Sequence, residues 1–202
     1  SFARMPEASL QHGNLSETVR QAVFLESVRL PEIAVTMNLP EAPIEANYDP
    51  RLIAQVLTNL IKNAVESIEG IGLGNIQDPT IVVTARPEGE IVRVSVSDNG
   101  RGWPKENRQR LLEPYMTTRE KGTGLGLAIV AKIIEQHGGT VELIDSEPDA
   151  NGRVGASFVF TLPLVTATGA DTAPATDAEA SGGAESQGAI EEGPPVEAVE
   201  QT

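Results

Sequence analysis

At 202 residues, with 40% hydrophobic residues and a net charge of −14, the chain is long enough for one well-buried soluble domain. The absence of cysteine excludes disulfides and cysteine-based metal sites, and two histidines argue against a zinc centre. Aromatics at 3% imply an aliphatic core, the missing basic stripe with interleaved aromatics argues against nucleic acid as a partner, and no apolar run approaches a membrane span.

The chain opens on Ser1-Phe2-Ala3-Arg4-Met5-Pro6, with neither an initiator Met nor a signal-peptide pattern, so a piece of a longer protein is expected. Residues 1–14 read as the end of an upstream element followed by a linker, because Pro6 and the polar run Gln11-His12-Gly13-Asn14 interrupt any period. From Leu15 the apolar positions Val19, Ala22, Val23 and Val28 fall near helical spacing, with Asn14 or Ser16 as the cap. Ile33 to Leu39 alternates and ends at Pro40, which predicts a strand, and Ile44 to Ala46 is expected to pair with it.

Pro50 to Glu69 is the longest amphipathic segment: Pro50 suits a first helical position, Asp49 suits the cap, and Leu52, Ile53, Val56, Leu57, Leu60, Ile61, Ala64, Val65 and Ile68 make a broad apolar stripe. Asn59 and Asn63 lie four apart within it, so both amides leave the same face, beside the core positions. After the glycine-rich break Gly70, Gly72, Gly74, strands are expected over Thr80 to Arg86 and Glu90 to Asp98. The second runs into Asp98-Asn99-Gly100-Arg101-Gly102. Read plainly this is a tight turn; an acid ending a strand before two close glycines can also receive a ligand.

Trp103 to Thr123 is irregular, apart from a short helix expected within Pro104 to Leu112, and reads as a candidate lid or an ordinary loop. Gly122, Gly124 and Gly126 then alternate just before an apolar helix, Gly124 to Gln136. A helix start with free N–H groups attracts anions, and phosphate is the obvious guest. His137-Gly138-Gly139 is a glycine C-cap, strands follow over Thr140 to Asp145 and Gly155 to Leu162, and Pro163 is expected to end the order. From Thr166 onward there are eight acidic residues and no Lys or Arg; removing those eight from −14 leaves −6 for the remainder. This tail is expected to be disordered.

Taken in order, helix with Asn-x-x-x-Asn, strand with Asp-x-Gly-x-Gly, irregular cover, then Gly-Thr-Gly-Leu-Gly-Leu before a helix, the chain resembles the catalytic ATP-binding domain of bacterial sensor histidine kinases. That family sits in the GHKL superfamily with gyrase, Hsp90 and MutL. Asn59 to Ala64 looks like its N box, Asp98 to Gly102 its first glycine box, Glu113 to Thr118 a variant of its phenylalanine box, and Gly122 to Leu127 its second glycine box. Pro114-Tyr115-Met116-Thr117-Thr118-Arg119-Glu120-Lys121 resembles the nitrogen-regulation sensor subfamily typified by NtrY. The cover box carries Tyr115 and Met116 where many relatives have two phenylalanines, so its packing is not carried over.

The resemblance implies an α+β fold: a two-layer sandwich of the Bergerat type, with a mixed, mostly antiparallel sheet covered on one face by helices. It implies three regions: residues 1–14 from the dimerisation helix end and linker, a catalytic ATP-binding domain over 15–165, and the acidic tail over 166–202. Implied ligands are ATP and Mg2+. Asn63 would ligate magnesium and Asn59 would help hold phosphates or metal. Asp98 would accept the adenine amino hydrogen. Gly100 and Gly102 would leave room for base and sugar, and backbone at Gly122, Thr123, Gly124, Leu125, Gly126 and Leu127 would wrap the phosphates. Lys121 or Arg119 would supply positive charge, and Ser157 would join the adenine network. Neither His12, in a polar linker, nor His137, at a helix end, looks like a phosphoacceptor. The acceptor histidine is therefore expected on a dimerisation domain absent here, with a response regulator, NtrX-like for that subfamily, taking the phosphoryl group onward. A soluble cytoplasmic, monomeric fragment of a homodimeric inner-membrane parent follows from the same resemblance. A GHKL-type ATPase and a non-catalytic nucleotide-binding module stay open as alternatives. The first needs a Glu as general base where Asn59 stands, and an amide cannot do that work.

Overall fold

The computed structural model describes residues 6–116 and 124–165, all within one compact unit. In chain order the elements are β1 (Gln11–Asn14), α1 (Leu15–Ser27), β2 (Ala34–Asn38), β3 (Glu45–Tyr48), α2 (Pro50–Glu69), β4 (Thr80–Glu88), β5 (Ile91–Asp98), α3 (Gly126–Gln136), β6 (Val141–Asp145) and β7 (Ala156–Pro163). Short three-ten turns lie at Leu73–Asn75 and Arg108–Leu112. Thr117 to Thr123 and the acidic tail lie outside the described residues.

Helix α2 begins where its sequence says. Asp49 Oδ1 accepts the Arg51 and Leu52 N–H groups at 3.1 and 3.3 Å, and Pro50 needs no partner for its nitrogen. The stripe from Leu52 to Ile68 is buried, and α2 packs on β5 and β4. In β5 the alternation is strict: Val92, Val94 and Val96 face the helices, and Arg93, Ser95 and Ser97 face away. The five-stranded sheet has the order β2-β4-β5-β7-β6, with β2 and β4 parallel and every other pair antiparallel. Helices α1, α2 and α3 cover one face of it, so the mixed, mostly antiparallel two-layer sandwich is the observed fold.

Three expectations change. The linker does not extend to Asn14: Gln11–Asn14 pairs antiparallel with β3, and Gly13 lies against Tyr48, a Cβ there coming 3.4 Å from Cε1 and from the hydroxyl, an ordinary contact. Tyr48 is buried and its hydroxyl lies 2.7 Å from Thr18 Oγ1. Consequently β3 does not pair with β2, which instead takes the sheet edge beside β4. Nor does order end at Pro163, because the Leu164 N–H donates to the Glu90 carbonyl at 2.8 Å and Leu164 bridges Ala46. Asn14, not Ser16, caps α1, accepting the Ser16 N–H at 3.0 Å. Among the described residues no helix is long and apolar enough to cross a membrane.

Candidate functional site

Polar residues with no place in the apolar core gather where α2 passes the carboxyl end of β5. Asn59, Asn63 and Ser67 follow one another at four-residue spacing along α2, so they share one edge of its buried stripe. All three line a cavity of about 320 Å³. The opposite wall is formed by Val96 and Asp98 of β5, Gly102, Trp103 and Pro104 beyond it, and Ala156 and Phe158 of β7; Met116, Gly124, Gly126 and Leu127 close the third side.

Asp98 is 7% exposed. Its Oδ1 accepts the Gly100 N–H at 2.8 Å and the Ser67 hydroxyl at 3.0 Å. Burial pushes its carboxyl up to about 6, against the opposing pull of hydrogen bonds from Gly100, Ser67 and Ala156. A carboxylate poised near neutrality in a cleft is a candidate ligand contact.

Gly100 serves differently from the expectation. A Cβ there would stand 2.4 Å from Ser67 Oγ and 2.6 Å from the Ser67 carbonyl carbon. Its missing side chain admits helix α2 at Ser67. Gly102 does line the cavity, at φ +76°. Asn99, read as a turn residue, is buried and fully engaged. Its Nδ2 donates to Asp78 O and Asp149 Oδ2, each at 2.9 Å, and its Oδ1 accepts the Thr80 N–H at 2.9 Å.

Ser157 is not brought to this cavity. Its hydroxyl lies 2.8 Å from Ser97 Oγ on the helix-free side of the sheet, while its neighbours Ala156 and Phe158 take the cavity side. Its carbonyl accepts the Trp103 indole N–H at 3.2 Å, which holds that ring as a wall. The sequence signal for Trp103 was available, because it is the sole tryptophan and follows Gly102 directly. A larger hollow of about 690 Å³ lies on the helix-free face, over Ser97, Ser157 and Val159. Apart from Asp98 and Ser157 it gathers none of the candidate residues, so the smaller cavity is the chemically furnished one.

The third wall is the start of α3. Leu125 stands at its N-cap without a side-chain cap bond, so the first N–H groups are not satisfied that way. Gly126 and Leu127 face the cavity, and a Cβ on Gly126 would lie 3.9 Å from Asn63 Nδ2. Gly124 takes φ +66° and crosses the chain at Tyr115, whose N–H donates to the Gly124 carbonyl at 2.9 Å. Lys121, Gly122 and Thr123, with Arg119, lie outside the described residues.

Neither histidine reaches the cavity. His12 is exposed and 3.6 Å from Glu45. His137 is buried, its Nε2 accepting the Asp49 N–H at 3.0 Å and its Nδ1 lying 2.7 Å from the Ile133 carbonyl. That pair of contacts assigns the proton to Nδ1. Among the described residues no group of three or more His, Cys, Asp or Glu could cage a metal. The donors present are amide oxygens beside a helix start. They suit a hard ion that retains waters and phosphate oxygens, as Mg2+ does, and not a protein-only cage.

The family described as histidine kinase-, DNA gyrase B- and HSP90-like ATPases matches residues 48–166. The nitrogen regulation protein NtrY of Azorhizobium caulinodans is 49% identical over 152 residues, which are 75% of this chain and 20% of that protein. The catalytic domain of the histidine kinase ThkA is 31% identical at a TM-score of 0.65, covering 77% of this chain and 96% of that domain. ThkA solved with the response regulator protein TrrA is 28% identical at a TM-score of 0.61, covering 78% of this chain and 42% of that one.

Proposed function

Since the chain belongs to the histidine kinase-, DNA gyrase B- and HSP90-like ATPases, as a histidine kinase ATP-binding catalytic domain, we propose that it holds MgATP in the 320 Å³ cavity and donates the γ-phosphoryl group to a histidine outside this chain. The observation that carries this reading is the convergence of Asn59, Asn63, Asp98 and the start of α3, at Gly126 and Leu127, on one cavity. In it the base lies against Asp98, whose carboxylate accepts the exocyclic amino hydrogen, with Gly102 and Trp103 beside it. The phosphates extend toward α3, where Gly124, Gly126 and Leu127 present backbone N–H groups and the helix dipole attracts anions. Asn63, with Asn59 one turn earlier, holds the magnesium, which when bound neutralises charge on the phosphates. Lys121, Gly122 and Thr123 complete the phosphate side.

No residue here needs to act as a general base for water. Asn59, one turn before Asn63, stands where an ATP-hydrolysing relative carries a Glu, and catalysis rests on positioning and charge neutralisation. The nucleophile comes from a dimerisation domain of the parent, and a response regulator, NtrX-like by analogy with the NtrY relative, receives the phosphoryl group on an aspartate. The proposed domain runs from Gln11, not Leu15, to residue 165. The parent is proposed to be a homodimer anchored in the inner membrane, with this domain in the cytoplasm.

The test combines this chain with γ-labelled ATP, Mg2+ and the separately produced dimerisation domain of the parent. Acid-labile label on that domain supports the kinase; release of free phosphate without labelled protein refutes it.

A further inference from the structure

We infer that Ser67 is a positioning residue for nucleotide recognition: its hydroxyl orients the Asp98 carboxylate and keeps it an acceptor for the exocyclic amino group of the base. This rests on the nucleotide site proposed above.

The geometry leaves the hydroxyl one direction. Ser67 Oγ accepts the Arg101 N–H at 3.0 Å, so its own proton is free to point at Asp98 Oδ1, 3.0 Å away. Gly100 N–H reaches the same oxygen at 2.8 Å, and the Ala156 N–H also bonds the carboxyl. Three protein donors thus fill three of the about four acceptor positions of the carboxylate, and with Oδ1 taken twice the remaining capacity is on Oδ2. A side chain at position 100 would meet Ser67 Oγ at 2.4 Å, so Gly100 is what lets the hydroxyl stand beside Asp98. The hydroxyl also opposes the effect of burial on Asp98, since a donated hydrogen bond favours the ionised acid. Without it the carboxyl retains its proton to higher pH and presents a donor where the base presents one too. The charged groups lining the same cavity are Lys62 and Glu66 on α2 and Arg101 after β5; β7 contributes Ala156 and Phe158, and α3 contributes Leu127.

The experiment measures ATP binding by this chain from roughly pH 5 to pH 8 for the wild type, Ser67→Ala and Asp98→Asn. Each variant is read as a ratio to wild type at the same pH, which cancels titration of the phosphates. Ser67→Ala is expected to fold normally, because alanine is a strong helix former and the Arg101 N–H retains the Ser67 carbonyl at 3.4 Å. Its binding midpoint should move upward by about one pH unit, which is roughly a threefold loss midway between the two midpoints. An unchanged midpoint, with wild type binding ATP and Asp98→Asn impaired, overturns the role of Ser67 and leaves the site standing. Wild-type binding that Asp98→Asn does not impair, or no binding, overturns the site and this inference together.

Discussion

The ring of His137, which ends α3, accepts the backbone N–H of Asp49, the residue that caps α2, across 88 positions of sequence. Its other nitrogen donates to the Ile133 carbonyl, so one side chain ties the end of one helix to the start of another. Replacing His137 with Ala leaves a buried N–H and a buried carbonyl short of their side-chain partner. A loss of about 2 to 3 kcal/mol is expected in urea denaturation. Phosphotransfer to a partner-borne histidine should persist wherever the variant is folded.

Asp49 also receives N–H groups from Ser9 and Leu52 and an ion pair from Arg51. Burial acts to raise its carboxyl, but these donors, Arg51 foremost, outweigh it and hold the group at about 2. A depressed carboxyl contributes stability that is present above pH 4 and is lost as pH falls toward 2. Acid unfolding of Asp49→Ala should therefore begin from a lower plateau, by about 1 to 2 kcal/mol as for a lost helix cap, and show a weaker dependence on pH in that window.

Asp98 has the opposite sign. The native state keeps its proton up to about pH 6, whereas the unfolded chain releases it near 3.8. The unfolded state then binds fewer protons in that interval, so stability falls as pH rises through it, by about 3 kcal/mol in total. Asp98→Asn should flatten this slope in denaturation curves taken at pH values on either side, while abolishing nucleotide binding. A slope unchanged by the substitution would show that Asp98 is not the group responsible.

Gly124 and Gly126 should respond differently to alanine. At Gly124 the backbone is left-handed, and a Cβ would come 2.6 Å from the Tyr115 carbonyl carbon, so Gly124→Ala is expected to cost about 1 to 3 kcal/mol of stability. At Gly126 the nearest described neighbour of a Cβ, apart from the helix's own backbone, is Asn63 Nδ2 at 3.9 Å, and the position begins a helix. Gly126→Ala should leave the melting temperature unchanged or higher and still weaken ATP binding, since its methyl enters the cavity. Calorimetric melts and binding isotherms on both variants separate the two effects.

Ser157→Ala removes the hydroxyl contact with Ser97 on the far side of the sheet. About 1 kcal/mol of stability should be lost, with ATP affinity unaltered in the same titration. Reduced affinity at full folding would return Ser157 to the nucleotide site.

Much of this architecture was legible because local signals agreed. Asp49, Pro50 and the apolar stripe of α2 state a cap, a first turn and a buried face in consecutive residues, and the alternation in β5 states which side meets the helices. The partner of β1 could not be read, since four polar residues carry no periodicity and the strand they pair with, β3, ends at Tyr48, far along the chain. The facing of Ser157 was legible, because Ser157, Val159 and Thr161 alternate with Ala156, Phe158, Phe160 and Leu162 along β7. What the alternation did not show is which of the two faces holds the cavity, since residues 156–162 are all buried. Gly100 was misread because its steric neighbour, Ser67, belongs to a helix more than 30 residues upstream.

The backbone bond between Tyr115 and Gly124 has a consequence for how such a domain can be altered. It holds positions 115 and 124 side by side, so the ends of whatever chain joins them are already brought together. Lengthening it adds only the slow logarithmic cost of closing a larger loop, about 0.6 kcal/mol for each doubling, and displaces none of the strands or helices. Residues 117–123 can thus be exchanged for a segment of different length or chemistry while Asn59, Asn63 and Asp98 stay where they are. In such chimaeras, changes in nucleotide turnover would report on the cover alone.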